Sequence, residues 1–394
     1  MVNFTILAGG FSTFIATYVF DSDANTLSLT KQSETGSSPS WIASHPTNLS
    51  ILYAVNELNP GGFLQSFTVD SAGGVQNVDN VTTGGNGPTF TVMLSTGEVT
   101  GMNFGSPNCS FVATVPDDPL HFERDSPVIS FPIPEGAPSN PHMSLEVGDE
   151  VFVPDLGGDK IWRIARNGAP GNFKVQGQID VDKGTGPRHI AVRDNILFTV
   201  HETASTLTAQ AIPAGPNGTA LPLIANVSTF PADALPGSKF AAAEILISTP
   251  TDKFPTPLIY VSNRNISPNV TDPAGDTIAI FEFVNGTDCT EASAGSVRRM
   301  LRRRLSRRQD DANATAGAGG QLKLLAQIPT GLQQIRSMAL GRVDDGGDEF
   351  LIAGANTVGG VAVFQRVDGG RNLTLSVRNT DLENRTSFVF VEGA

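Results

Sequence analysis

The chain of 394 residues reads as all-β: one domain over 1–394, a seven-bladed β-propeller of four-stranded antiparallel blades. The main observation is a repeat. A compact β-branched or aliphatic run ending in small or polar residues occurs seven times: ILAGG at 6–10, ILYAVNE at 51–57, EVTGMN at 98–103, EVFVPDLG at 150–157, ILFTVHE at 196–202, LIYVSNR at 258–264 and FLIAGAN at 350–356. The starts are separated by 45, 47, 52, 46, 62 and 92 residues, and five of these steps fall near the length of a four-stranded blade. A second observation is that 41 glycines and 26 prolines supply the tight turns that many short strands need. The third is that no long stretch sets apolar residues at i, i+3, i+4 and i+7, so helix is expected to be rare. Seven such units close into a ring, and a ring brings the loops of every blade to one mouth.

Composition narrows the partners. A formal net charge of −13 argues against nucleic acid, whose phosphates call for clustered Lys and Arg. No run of eighteen apolar residues codes a membrane span. Asn-X-Ser/Thr sequons stand at Asn3, Asn48, Asn80, Asn108, Asn217, Asn226, Asn265, Asn269, Asn285, Asn313, Asn372 and Asn384. That density points to a secreted or surface glycoprotein carrying N-glycans on its turns, and so to a monomer. No basic segment followed by an apolar one precedes Asn3, so the chain reads as a mature form with an added Met1. The two cysteines, Cys109 and Cys289, are candidates for one disulfide in an oxidising compartment.

Taken in chain order, polar residues sit beside the repeats. His45 lies in SWIASHP ahead of the second repeat, and Glu57 closes that repeat. His121 falls in an irregular segment and reads as surface. His142 lies in NPHM, a proline-flanked turn before the fourth repeat, where the ring is expected to face the mouth. Arg188 and His189 lie in GTGPRH before the fifth repeat, which ends in His201 and Glu202. Glu244 follows, and Arg264 ends the sixth repeat at the same relative place as Glu202 and Glu57. Residues 285–320, with seven arginines between Arg298 and Arg308, form an insertion between the sixth and seventh repeats. It is expected to be a solvated loop or short exposed helix, with an anionic-surface contact or dibasic processing as alternatives. Arg336 precedes the seventh repeat. Guanidiniums converging on one mouth suit a carboxylate-bearing substrate, and a His with a Glu can move a proton. The alternative is a ring of salt bridges holding adjacent blades, with His45 and His189 capping turns or bonding neighbouring blades.

The ordered set HPTNLSILYAVNE, NPHM before VPDLGGDKI, GTGPRHIAV before LFTVHE, and LIYVSNR before DTIAIFEF resembles the seven-bladed lactonase family. That family includes propeller-type 6-phosphogluconolactonases and the fungal 3-carboxy-cis,cis-muconate cyclases. The resemblance covers nearly all of the chain outside the insertion. It implies a site at the central mouth with no metal and no cofactor. It also implies His142 and Glu202 as the proton-transferring residues, and Arg188, Arg264 and Arg336 as the substrate anchors. Glu57, His45 and His189 join the expected binding residues from their places beside the repeats, not from the resemblance. Two positions depart from the family pattern: Ile335 stands where a proline is usual, and His201 where an asparagine is usual. The expected activity is lactone hydrolysis or lactone-forming cyclisation of a small anionic molecule. A ring-forming enzyme of fungal secondary metabolism, including a hetero-Diels–Alder catalyst, and a non-catalytic cell-wall glycoprotein are the other readings.

Overall fold

The computed structural model describes residues 3–286 and 319–391. They form seven antiparallel sheets arranged as the blades of a propeller. Each of the seven repeated runs is the second strand of its blade, counted from the axis: Asn3–Gly10, Ile51–Asn56, Glu98–Asn103, Glu150–Asp155, Ile196–His201, Leu258–Asn265 and Phe350–Ala355. The innermost strands of blades 2 to 7 are Ile42–Ser44, Pro88–Phe90, Leu145–Val147, Pro187–Arg193, Phe240–Ile247 and Ile335–Leu340. Blade 1 takes its innermost strand, Arg385–Val391, from the other end of the chain, where it pairs with Asn3–Gly10 and closes the ring.

The second strands read as unbroken apolar runs because both of their faces are covered. In blade 6, Tyr260 packs toward blade 7 with Ile278, Met338 and Leu351. Its neighbours Ile259 and Val261 face blade 5 with Phe198 and Val200. The same period of two repeats around the ring, so seven separate apolar clusters fill the seven gaps between blades. Stability is thus spread over the interfaces, and the axis is left to polar side chains.

Two long steps in the repeat have structural causes. Before blade 6, the chain places Gly218–Thr219 as a parallel edge on blade 4, then adds the outermost strand of blade 5, Ala225–Ser228. The 285–320 insertion joins the third and outermost strands of blade 6, whose ends meet at Asn285 and Gly320. These strand ends lie in the outer half of the blade, and residues 287–318, on which the expectation of a solvated loop or short helix falls, lie outside the described residues. Cys109 is buried in the third strand of blade 3, and its expected partner Cys289 lies outside the described residues, as does the sequon at Asn313. None of the other sequon asparagines is buried. Among the described residues no helix is long and apolar enough to cross a membrane.

Candidate active site

One local irregularity recurs at the axis. The pairing of the innermost strand with the second slips between Pro88 and Phe90, Pro187 and His189, Ala242 and Ile245, Ile335 and Met338, and opposite Gly9 and Gly10. Each slip leaves residues of the innermost strand unpaired, as in a β-bulge, which bends the strand and re-aims a side chain. The residues released are Thr89, Arg188, Glu244 with Ala243, Arg336 with Ser337, and Thr386. Four of these, Thr89, Arg188, Arg336 and Thr386, line one pocket at the mouth with Ser40, Trp41, Glu57 and His142. The free space in it is about 10 Å³, close to what one water molecule requires.

The mouth is cationic. Arg188 donates from Nη1 to Glu202 Oε2 at 2.6 Å, and Arg264 Nη2 lies 2.7 Å from the same oxygen without a linear alignment. Glu202 therefore ties blade 5 to blade 6. Both guanidiniums are buried, with 2% and 5% of their residue surface exposed. Burial pushes the Arg188 guanidinium down to about 9, and Arg264 adds to that while Glu202 opposes it. Arg264 is lowered by the same burial. Arg336 has no carboxylate within ion-pair distance among the described residues, and its guanidinium lies 5.5 Å from the ring centre of Phe11. Asp276 holds the backbone beside two of these arginines, accepting from Asn265 N at 2.8 Å and Ile335 N at 3.1 Å.

The two carboxyls of the mouth are driven apart. Glu202 loses solvation, which raises its pKa, but Arg188, Arg264 and Arg336 outweigh this and hold it below the ordinary value. Glu57 is raised by burial, with Ser40, Arg336 and Arg188 only partly opposing. Burial thus favours the neutral form of Glu57, while the arginines favour the ionised form of Glu202, to which the expectation had assigned proton transfer. Glu202 is the ionised tie between two arginines, so the salt-bridge alternative describes its contacts.

His142 is 2% exposed and lines the pocket. Its backbone N donates to Pro154 O at 3.0 Å, which fixes the NPHM turn on the second strand of blade 4. Its Nδ1 lies 3.1 Å from His189 Nε2, and Nε2 makes no hydrogen bond within the described protein. Burial, reinforced by Arg188, His189, Arg336 and Arg264, keeps its pKa well below the usual histidine value. The ring is therefore neutral at pH 7 and able to accept a proton.

Three expected binding residues are not among those lining the pocket: Arg264, which meets Glu202, and also His189 and His45. His189 is fully buried behind His142 and meets Glu244, so it contacts protein rather than the mouth. His45 lies past the end of its innermost strand, at the opposite end of the blade from Glu57. Its Nδ1 accepts from Thr47 N at 3.2 Å and Asn48 N at 3.1 Å, so it caps a turn. His45, His142 and His189 all precede repeats in the sequence, but only His142 lines the pocket. Ser40, Thr89 and Thr386 were not foreseen; small hydroxyl residues carry no sequence signal unless the bulges are known. Beyond Trp41, which borders both spaces, a second cavity of about 800 Å³ lies along the axis, lined by Phe90, Met143, Glu244 and residues such as Pro46 and Arg342 at the opposite face. Among the described residues no three His, Cys, Asp or Glu side chains converge as a metal-ligand set.

A propeller with a neutral imidazole and three guanidiniums at its axial mouth defines the class of protein. The chain belongs to the lactonase family of seven-bladed β-propellers, whose family model matches residues 5–311. It is similar in structure to a Lactobacillus plantarum protein (TM-score 0.75, 19% identity, 99% of this chain and 100% of that one). It is also similar to a putative 6-phosphogluconolactonase from Bacteroides fragilis (0.74, 18%, 99% and 98%). A periplasmic gluconolactonase from Pseudomonas aeruginosa matches to the same degree (0.74, 18%, 99% and 99%). At these identities the likeness carries the fold. No curated protein matches the chain in sequence.

Proposed function

We propose that this protein hydrolyses lactones that bear an anionic group, at the mouth of the propeller. The observation that carries the reading is the single pocket shared by the neutral His142 imidazole, the Glu57 carboxyl, Arg188 and Arg336. Its free volume fits the attacking water. His142 Nε2 takes a proton from that water as the oxygen adds to the ester carbonyl. Arg188 Nε, buried and without an acceptor among the described residues, is the donor available to the oxyanion. Collapse breaks the ring C–O bond, and the leaving oxygen takes its proton from Glu57. Transfer from the His142 imidazolium back to Glu57 restores both groups. Arg336, free of a carboxylate partner, anchors the substrate's anionic group.

The test is hydrolysis of glucono-1,5-lactone and 6-phosphoglucono-1,5-lactone in a pH-stat at pH 7, corrected for spontaneous opening. The phosphorylated lactone is expected to be the better substrate. His142→Gln should lower kcat by about 10²-fold or more, the usual contribution of a general base, with an unchanged far-UV circular dichroism spectrum. An unimpaired His142→Gln variant, or no turnover of neutral, phosphorylated or carboxylated lactones, refutes the proposal.

Lactone-forming cyclisation is the second reading, favoured by the presence of more guanidiniums than one anionic group needs; loss of a conjugated diacid's ultraviolet absorbance tests it. A pericyclic role finds less support, because among the described residues Trp41 is the only Phe, Tyr or Trp lining the pocket. A secretory setting rests on the sequons, and a mass shift on deglycosylation of protein from its native source would establish it.

A further inference from the structure

The Glu244 bulge aims its side chain away from the mouth and along the axis. Oε1 accepts from the Ile245 backbone N at 3.0 Å and lies 2.7 Å from His189 Nδ1. An oxygen that already accepts from a backbone N–H leaves His189 Nδ1 as the donor of its pair. With its one proton on Nδ1, His189 has its lone pair on Nε2, and that atom faces His142 Nδ1 at 3.1 Å. His142 must then carry its proton on Nδ1 and its lone pair on Nε2. Three blades supply the chain: His142 leads into blade 4, His189 lies on the innermost strand of blade 5 and Glu244 on that of blade 6. Trp41 and Phe90 pack edge-on around His189, at 5.4 and 5.9 Å between ring centres, and restrict its rotation.

We infer that His189 and Glu244 are positioning residues that fix the tautomer of His142, so that Nε2 is the base at the mouth. As Nε2 takes up a proton, the imidazolium is stabilised through His189 by the Glu244 carboxylate. This matters at this mouth because Arg188, Arg264 and Arg336 all oppose a positive charge on His142. The other Glu244 oxygen, Oε2, is buried without a hydrogen-bond partner and belongs to a side chain that borders the 800 Å³ axial cavity. The chain thus runs from the mouth pocket to the second cavity.

The inference rests on His142 being the base of the proposed hydrolysis, but its first test needs no substrate. Long-range ¹⁵N–¹H spectra of the histidine-labelled protein at pH 7 should show His142 protonated on Nδ1 with an unprotonated Nε2, and His189 protonated on Nδ1. A His142 protonated on Nε2 overturns the assignment whatever the protein hydrolyses. The second test is Glu244→Gln, which keeps the size of the side chain and removes its charge. The expected result is a kcat lowered 10- to 10³-fold at nearly constant KM, with the acid limb of the pH–kcat profile displaced to lower pH. A purely structural Glu244 would lower the melting temperature and leave kcat and the acid limb unmoved. That outcome also overturns the inference. If the wild type turns over no lactone yet shows the stated tautomers, only the proposed function fails.

Discussion

Glu202→Gln separates an electrostatic tie from a chemical group. The glutamate's Oε2 meets Arg188 Nη1 at 2.6 Å and Arg264 Nη2 at 2.7 Å, and the two arginine side chains are 3% and 6% exposed. Removing one member of a buried pair leaves an uncompensated charge and costs about 3–5 kcal/mol. Glu202 itself is 26% exposed, so water screens part of that loss, and about 3 kcal/mol is the appropriate scale. For a chain of 394 residues the unfolding entropy is about 0.8 kcal/mol/K. The melting temperature should therefore fall by about 4 °C. With the proton carried by His142 and Glu57, kcat on an anionic lactone should stay within about tenfold of wild type, since positioning is disturbed but no proton donor is lost. Differential scanning calorimetry and pH-stat kinetics on the same preparation read both quantities. An unchanged melting temperature with kcat reduced about 10³-fold would refute the assignment and return Glu202 to proton transfer.

Arg336→Ala should raise KM for phosphorylated or carboxylated lactones about 10-fold or more, as loss of a charge-assisted contact does. Its melting temperature should move little, because Arg336 breaks no ion pair on removal; equal KM for neutral and anionic lactones in the wild type would contradict this. Acid stability offers a further check. Burial lowers His201 to about 4, so between pH 6.5 and 4 the unfolded chain binds a proton that the folded one refuses. Stability from this residue falls as pH falls through that window, by about 3 kcal/mol in all. Asp276, raised to about 6 by burial, has the opposite sign: its cost is present above pH 6 and is relieved as pH falls toward 3.8. Denaturant melts from pH 7 to 4 should show His201→Asn gaining stability relative to wild type on acidification and Asp276→Asn losing it. Parallel pH profiles for wild type and both variants would contradict the burial of these groups.

The seven-fold count was legible because a strand buried on both faces leaves a continuous apolar run, and each blade has such a strand in second place. Glu57, Glu202 and Arg264 were legible for the same reason: they end these runs, and the ring brings the ends of the runs together. Arg188, Arg336 and His142 were found by their neighbours in the sequence. What sets the two arginines at the mouth is a slip in strand pairing, which has no fixed residue signature, while His142 stands in a turn held to Pro154 of the second strand of blade 4. The pair of His189 with Glu244 spans 55 residues and two blades. Glu244 could be noted in the sequence but given no role, because periodicity within one blade says nothing of what the next blade presents. The division of labour between Glu57 and Glu202 depends on burial and on three guanidiniums from different blades, and no local pattern encodes that.

Ring closure bears on how the protein is made. Arg385 is buried under the first two strands of the chain, donating weakly to Ala8 O and Phe14 O at 3.4 Å, while the next residue, Thr386, forms one wall of the mouth. A nascent chain can complete blades 2 to 7 while still attached to the ribosome, yet blade 1 lacks its axial strand until Arg385–Val391 has emerged. Until then the pocket stands open on one side and Asn3–Gly10 presents an unpaired edge. Emergence of this one strand therefore both seals the sheet and completes the pocket, so a chain interrupted before it exposes a sticky edge and an unfinished mouth.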